Sequence, residues 1–153
     1  MGNQNIKNNK KNLERFIEPS NLDYEIALKE IKNGKKESHW IWYIFPQLKG
    51  LGNSYNSNYY GIKDIKEAKE YLNHIILGNR LIEITETLLN LNINDPIEIF
   101  GDIDSKKVNS CMTLFYYASF KKNSLFKNVI NKYYNGEYCK NTIRLLNRKK
   151  TCC

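Results

Sequence analysis

Residues 35–52 gather most of the side chains in this chain that could do chemistry: Lys-Lys-Glu-Ser-His-Trp-Ile-Trp-Tyr-Ile-Phe-Pro-Gln-Leu-Lys-Gly-Leu-Gly. An imidazole ordinarily titrates near neutral pH, which makes His39 the candidate general acid or base. Lys36 supplies a charge for an anion, Ser38 a hydroxyl, and Gln47 an amide that reads polar edges. Trp40 and, further on, Tyr60 supply stacking faces, and Gly50 and Gly52 allow close backbone approach. Arg80 stands in the first turn of an expected helix, where its charge opposes the helix dipole. That local cost implies a tertiary partner, either a carboxylate or an anionic ligand. Taken together, Lys36, Ser38, His39, Trp40, Gln47, Tyr60 and Arg80 suit a flat, anionic, nucleotide-like small molecule.

A purely structural reading competes at each position. The 35–52 stretch also fits a helix end that runs into an aromatic plug. Tyr59-Tyr60-Gly61 fits a pair of wedges that fix a turn, and Arg80 fits a buried ion pair. Ser38 and His39 are neighbours in sequence, but a nucleophile–base pair is made by geometry, not adjacency. No triad stands out, so an enzyme and a non-enzymatic interaction module both fit.

Composition narrows the partners. The formal net charge is +8. Residues 1–12 contribute +3 and residues 144–150 contribute +4, so the rest of the chain is close to neutral, with 17 basic and 16 acidic residues. A nucleic-acid-binding core calls for a basic face, and this distribution disfavours one. Cys111, Cys139, Cys152 and Cys153 show no zinc spacing, and Cys111 falls in an apolar helical pattern. Neither a metal nor a cofactor is expected. There is no apolar leader and no run near the ~20 residues of a membrane span, which points to an intracellular, cytoplasmic protein.

The elements that must position these residues read as helices. Tyr24, Ala27, Leu28 and Ile31 form one apolar stripe, started by Ser20 or Asn21 and ended by Gly34. Asp64 with Glu67 resembles a capping box before Ile65, Ala68 and Leu72. Leu81, Ile84 and Leu88 mark a helix after Gly78. Asp95-Pro96 starts a short helix that Gly101 stops. Asp104 caps the next, with Val108, Cys111, Met112 and Phe115 on its face. Phe126, Val129, Ile130 and Tyr133 share a further helix between Ser124 and Gly136, and Ile143, Leu145 and Leu146 a last one. Residues 40–45 have strand propensity but no partner strand, so a short buried helix ended by Pro46 is expected. The fold class is all-α: a single compact domain of six to seven short, irregularly crossed helices over residues 13–147, preceded by a disordered basic tail at 1–12.

The run Lys35 to Gln47, then Gly50-Leu51-Gly52, Ser54, Tyr60-Gly61-Ile62, Glu67-Ala68, Tyr71-Leu72 and Leu77-Gly78-Asn79-Arg80-Leu81, resembles the signature of the domain-of-unknown-function 1810 family. Ile99-Phe100-Gly101, Lys106, Ser110, Met112-Thr113-Leu114-Phe115 and Thr142 continue the likeness, which spans residues 13–146. That family has sometimes been labelled calpastatin, yet such inhibitors are extended and repetitive and this chain is neither. The resemblance implies a compact all-α fold and no established activity, so it assigns no catalytic residues. A more distant similarity, around Met112 to Ile130, is to α-helical ADP-ribose-processing domains. One departure is Ile75, where the family usually has proline after the residue matching His74; a looser turn is expected there.

Residues 148–153 are basic and end in Cys152-Cys153, which resembles the prenylated di-cysteine tails of small trafficking GTPases and also a palmitoylation site. Lipids there would add peripheral membrane association. The partners expected are therefore an unidentified small molecule or protein, and a membrane only if these cysteines are lipidated.

Overall fold

The computed structural model describes residues 2–119 and 124–151, with side chains over 13–119 and 124–148. Eight helices are present among them: α1 (Gly2–Lys32), α2 (Ile41–Ile44), α3 (Tyr55–Tyr60), α4 (Ile65–Asn73), α5 (Leu77–Leu89), α6 (Pro96–Ala118), α7 (Ser124–Tyr134) and α8 (Lys140–Thr151). The fold is all-α, as the apolar periodicities imply. Cys152 and Cys153 lie outside the described residues.

Helix α6 is the centre. It packs on α7, α4 and α8, while α5 bridges α7, α4 and α1. Its buried face carries Val108, Cys111, Met112, Leu114 and Phe115. Phe115 meets Tyr71 of α4 and Phe126 of α7 at ring-centroid distances of 5.4 and 6.0 Å. Asp95 caps α6 by accepting from the Ile97 amide, and Pro96 occupies the first turn. Gly101 has φ +80° and ψ 170°, which bends the helix where a stop was expected. The two expected short helices are the two limbs of α6.

Helix α1 departs from expectation at its start. It begins at Gly2 and runs through Pro19, instead of starting at Ser20 or Asn21. A proline inside a helix forfeits the bond to the carbonyl four residues back. Burial offsets that loss: Phe16, Ser20, Tyr24, Ala27 and Ile31 form one continuous buried stripe across the proline. Ser20 is not a cap; its hydroxyl accepts from Arg80 Nη1 at 2.9 Å. Gly34, at φ +75°, closes the helix with the Gly34 amide on the Ile31 carbonyl and the Lys35 amide on the Glu30 carbonyl.

Helix α3 was not expected, because Tyr-Asn-Ser-Asn-Tyr-Tyr has no apolar period. Ser54 starts it, accepting from the Ser57 amide at 3.1 Å. The segment before it is the nearest thing to a strand among the described residues. Lys49 N donates to Ile62 O and Ile62 N to Gln47 O, a lone parallel bridge between Leu48 and Ile62.

The turn into α5 is held by a side chain. His74 Nδ1 accepts from the amides of Ile76 and Leu77 at 3.1 and 3.2 Å, and Asn79 Nδ2 donates to the Ile75 carbonyl. These contacts fix the turn without proline at position 75. His74→Ala is expected to cost about 1 kcal/mol, the usual worth of a side-chain cap, measurable by urea unfolding. A change within error would mean that the two amides find water equally well.

Candidate functional site

Helices α1, α3 and α4, together with Lys49 and the 61–63 segment, border a cleft of about 620 Å³. Glu14, Arg15, Lys49, Asn58, Tyr59, Gly61, Lys63 and Glu67 line it. Its volume lies within the ordinary range for small-molecule sites.

Local chemistry sets the walls. Asp64 caps α4 by accepting from the Glu67 amide at 2.9 Å, as its spacing predicts. The Glu67 carboxylate reaches back to the Lys63 amide at 3.2 Å, one residue before the usual capping-box partner. The same oxygen receives Arg15 Nη2 at 2.5 Å, so the start of α4 is tied to α1. Arg15 Nη2 also donates to the Gly61 carbonyl at 2.9 Å, and its guanidinium lies 4.3 Å from the Phe16 ring centroid. The Arg15 side chain is 11% exposed. Its Nε is fully buried and has no hydrogen-bond partner. Gly61 allows the 47–49 segment to close on α3: a Cβ there would stand 2.6 Å from both Lys49 Cβ and the Ser57 carbonyl oxygen.

An aromatic cluster adjoins the cleft through Tyr59. Tyr55 and Tyr59 lie one turn apart on α3, with parallel rings 5.8 Å apart. Tyr60 meets Tyr59 edge-on at 4.8 Å and packs on Phe16 and Tyr43 behind it. Burial, followed by the neighbouring Tyr59, Tyr55 and Asp23, raises the Tyr60 pKa. The Tyr43 hydroxyl donates to Asp23; burial and that bond push its pKa upward too.

None of Lys36, Ser38, His39, Trp40, Gln47, Tyr60 and Arg80 is among the residues that line this cleft. Ser38 and Trp40 turn inward to a single buried carboxylate, Glu30. Glu30 Oε1 accepts from the amides of Glu37 and Ser38 and from Trp40 Nε1 at 2.7, 2.8 and 2.9 Å, and Oε2 accepts from the Ser38 hydroxyl at 2.6 Å. Burial alone would raise the Glu30 pKa, but these four bonds outweigh it and hold the group at about 2. Lys36 donates to the Ser38 carbonyl and pairs with Asp104 of α6 at 2.9 Å. Lys107 shares Asp104 at 3.1 Å and lies 4.1 Å from the Trp42 ring centroid. Burial opposes ionisation of Asp104, yet its bonds to the two lysines lower its pKa. Asp104 thus serves as an anchor between segments.

Arg80 Nη1 donates to Ser20 Oγ and Asn21 Oδ1, and the guanidinium lies 5.3 Å from the Tyr24 ring centroid. The implied tertiary partner is therefore a set of neutral oxygens and an aromatic face on α1. Gln47 is buried and its carbonyl joins the bridge to Ile62. His39 is exposed, and its carbonyl accepts from the Tyr43 hydroxyl. Tyr60 touches the cleft residue Tyr59.

Arg15, Lys49, Asn58 and Lys63 were missed by sequence reasoning. No period or motif marks them, and Arg15 meets its partners 46 and 52 residues away. Tyr59 and Gly61 were legible as a cluster, but as turn wedges. Among the described residues there is no group of three His, Cys, Asp or Glu placed to hold a metal ion. No helix among them is long and apolar enough to cross a membrane.

No curated protein matches this sequence. A crystal structure of the conserved hypothetical protein Rv1873 from Mycobacterium tuberculosis is 39% identical to it, covers 88% of this chain and 96% of that one, and superposes with a TM-score of 0.85. The model of a family of proteins of unknown function, DUF1810, matches residues 10–146. That match takes in every helix that builds the cleft and the Glu30 hub, and the chain belongs to the DUF1810 family.

Proposed function

We propose that this protein binds an anionic small molecule in the cleft between α1, α3 and α4. The observation that carries the reading is Arg15. A guanidinium has five donors, and a buried one left unpaired is costly; here Nε is buried without a partner, on a residue that lines the cleft beside Lys49 and Lys63. Glu67 is already committed to Arg15 Nη2 and the Lys63 amide. An incoming phosphate or carboxylate meets Lys49 and the Asn58 amide beside Arg15, in a lining that also carries Glu14 and Glu67. The lining sets Arg15, Lys49 and Lys63 against Glu14 and Glu67, an excess of one positive charge that favours an anion.

A thermal-shift series with phosphate, pyrophosphate, AMP, ADP, NAD and ADP-ribose tests this. A ligand at 100 times its Kd adds about 2.7 kcal/mol of stability, or roughly 5–10 °C in a domain of this size. Lys49→Ala retains the Cβ that faces Gly61 and removes only the charge-bearing arm. It is expected to weaken binding about tenfold, as loss of a charged hydrogen bond does. Absence of a shift with every anion would overturn the proposal.

A further inference from the structure

We infer that the anion bound in the cleft is the phosphate of a mononucleotide, whose base stacks on the Tyr55–Tyr59 pair; this rests on the anion-binding reading above. The two rings are parallel to within 8° and 5.8 Å apart. They are also exposed, Tyr55 at 76% and Tyr59 at 46%. An isolated surface tyrosine needs no explanation. Two rings held in register and left uncovered are a different matter, since each exposed face is apolar area and a ready π-surface.

The pair is braced. Tyr60 abuts Tyr59 edge-on at 4.8 Å, and Tyr60 itself lies between Phe16 and Tyr43 at 6.1 and 5.3 Å. The platform is therefore built before any ligand arrives, and a base that joins it does not have to order it. Tyr59 belongs both to the stack and to the cleft lining, which it shares with Asn58, Lys49 and Lys63. A ligand that spans both parts has a flat aromatic end and an anionic end. Stacking accepts any base, and the Asn58 amide offers a donor and an acceptor to a sugar or a base edge. A polymer is disfavoured because the cleft is about 620 Å³ and the chain between its basic ends is nearly neutral, with 17 basic against 16 acidic residues.

Calorimetric titration of the full chain with pyrophosphate, ADP and a single-stranded oligonucleotide is the test, repeated on Tyr55→Leu/Tyr59→Leu and on Tyr59→Phe. ADP is expected to bind about tenfold more tightly than pyrophosphate, the gain from one stacked base. The double leucine variant is expected to lose that advantage, binding ADP no more tightly than pyrophosphate, and Tyr59→Phe to retain it. Equal affinity for ADP and pyrophosphate, unchanged in the leucine variant, would overturn the base platform and leave the anion site standing. Tighter binding of the oligonucleotide than of ADP would overturn the mononucleotide assignment. No binding of either small anion would overturn both readings together.

Discussion

Glu30→Ala is expected to lower the unfolding free energy by about 4 kcal/mol, and Glu30→Gln by about half as much. One carboxylate receives four hydrogen bonds, from two amides, a hydroxyl and the indole of Trp40. Hydrogen bonds to a charged acceptor are worth about 1.5–3 kcal/mol each, and they do not add when they share one group. Alanine removes the acceptor outright and leaves the Trp40 indole N–H unpaired in a site where the ring is fully buried. Glutamine keeps a carbonyl oxygen in place of Oε1 and an amide that can donate to Ser38 Oγ in place of Oε2. Its loss therefore reports the charge together with the reversed Ser38 hydrogen bond. Urea unfolding at neutral pH separates the three proteins. If Glu30→Gln proved as damaging as Glu30→Ala, the geometry of the hub would matter less than its charge.

The pH dependence of this difference carries a sign. The Glu30 pKa is lowered from about 4.5 to about 2 in the folded protein. A depressed carboxyl pKa stabilises the fold at pH above the unfolded value, and the contribution disappears as pH falls through the folded one. The gap between wild type and Glu30→Gln is expected to be full at pH 6 and to narrow between pH 4.5 and 2. A gap that stayed constant down to pH 2 would mean that the carboxylate is not held ionised by its four donors.

Glu30 also shows what one-dimensional reading reaches. The 35–47 stretch stands out because it breaks the helical rhythm and mixes charge with aromatics, and that judgement identified a special segment. Its explanation lies elsewhere in the chain. Ser38 and Trp40 are specified by a glutamate in the preceding helix, and Lys36 by Asp104 in α6. Helix stops and starts carried by local chemistry were legible at Gly34, Asp64 and Asp95-Pro96, while Gly101 interrupts α6 as a bend and not as an end. Helix α3 was not, since its fold depends on a serine cap and tyrosine packing with no apolar period. Neither was the continuity of α1, because the tertiary burial of Phe16 and Tyr24 overrides the breaking tendency of Pro19. The cleft was least visible of all. Arg15, Lys49 and Lys63 are ordinary surface-type residues in sequence, and only the approach of α1 to α4 makes them neighbours.

The packing of α4 on α5 makes a second strong demand, at Gly78. Gly78→Ala is expected to destabilise the fold by about 3 kcal/mol, the upper end for overpacking. Helix propensity argues the other way, since alanine is favoured over glycine inside a helix by about 1 kcal/mol. Sterics decide the sign. A Cβ at position 78 would sit 2.0 Å from the Leu72 carbonyl oxygen and 2.7 Å from its carbon. Those atoms are backbone, so no rotamer change relieves the clash; the end of α4 must move away from α5. The movement would be resisted by Tyr71, Leu77 and Leu81, all buried at this junction. Gly101 offers the contrast. Nothing lies within 4 Å of a Cβ there, but its φ of +80° is strained for any L side chain. Gly101→Ala should therefore cost about 1–3 kcal/mol through the backbone alone and leave the α4–α5 junction intact. Amide exchange distinguishes the two mechanisms: the first variant should lose protection in both α4 and α5, the second only around the bend of α6. Were Gly78→Ala neutral or stabilising, propensity would have won, and the close approach of the two helices would not be what holds that junction together.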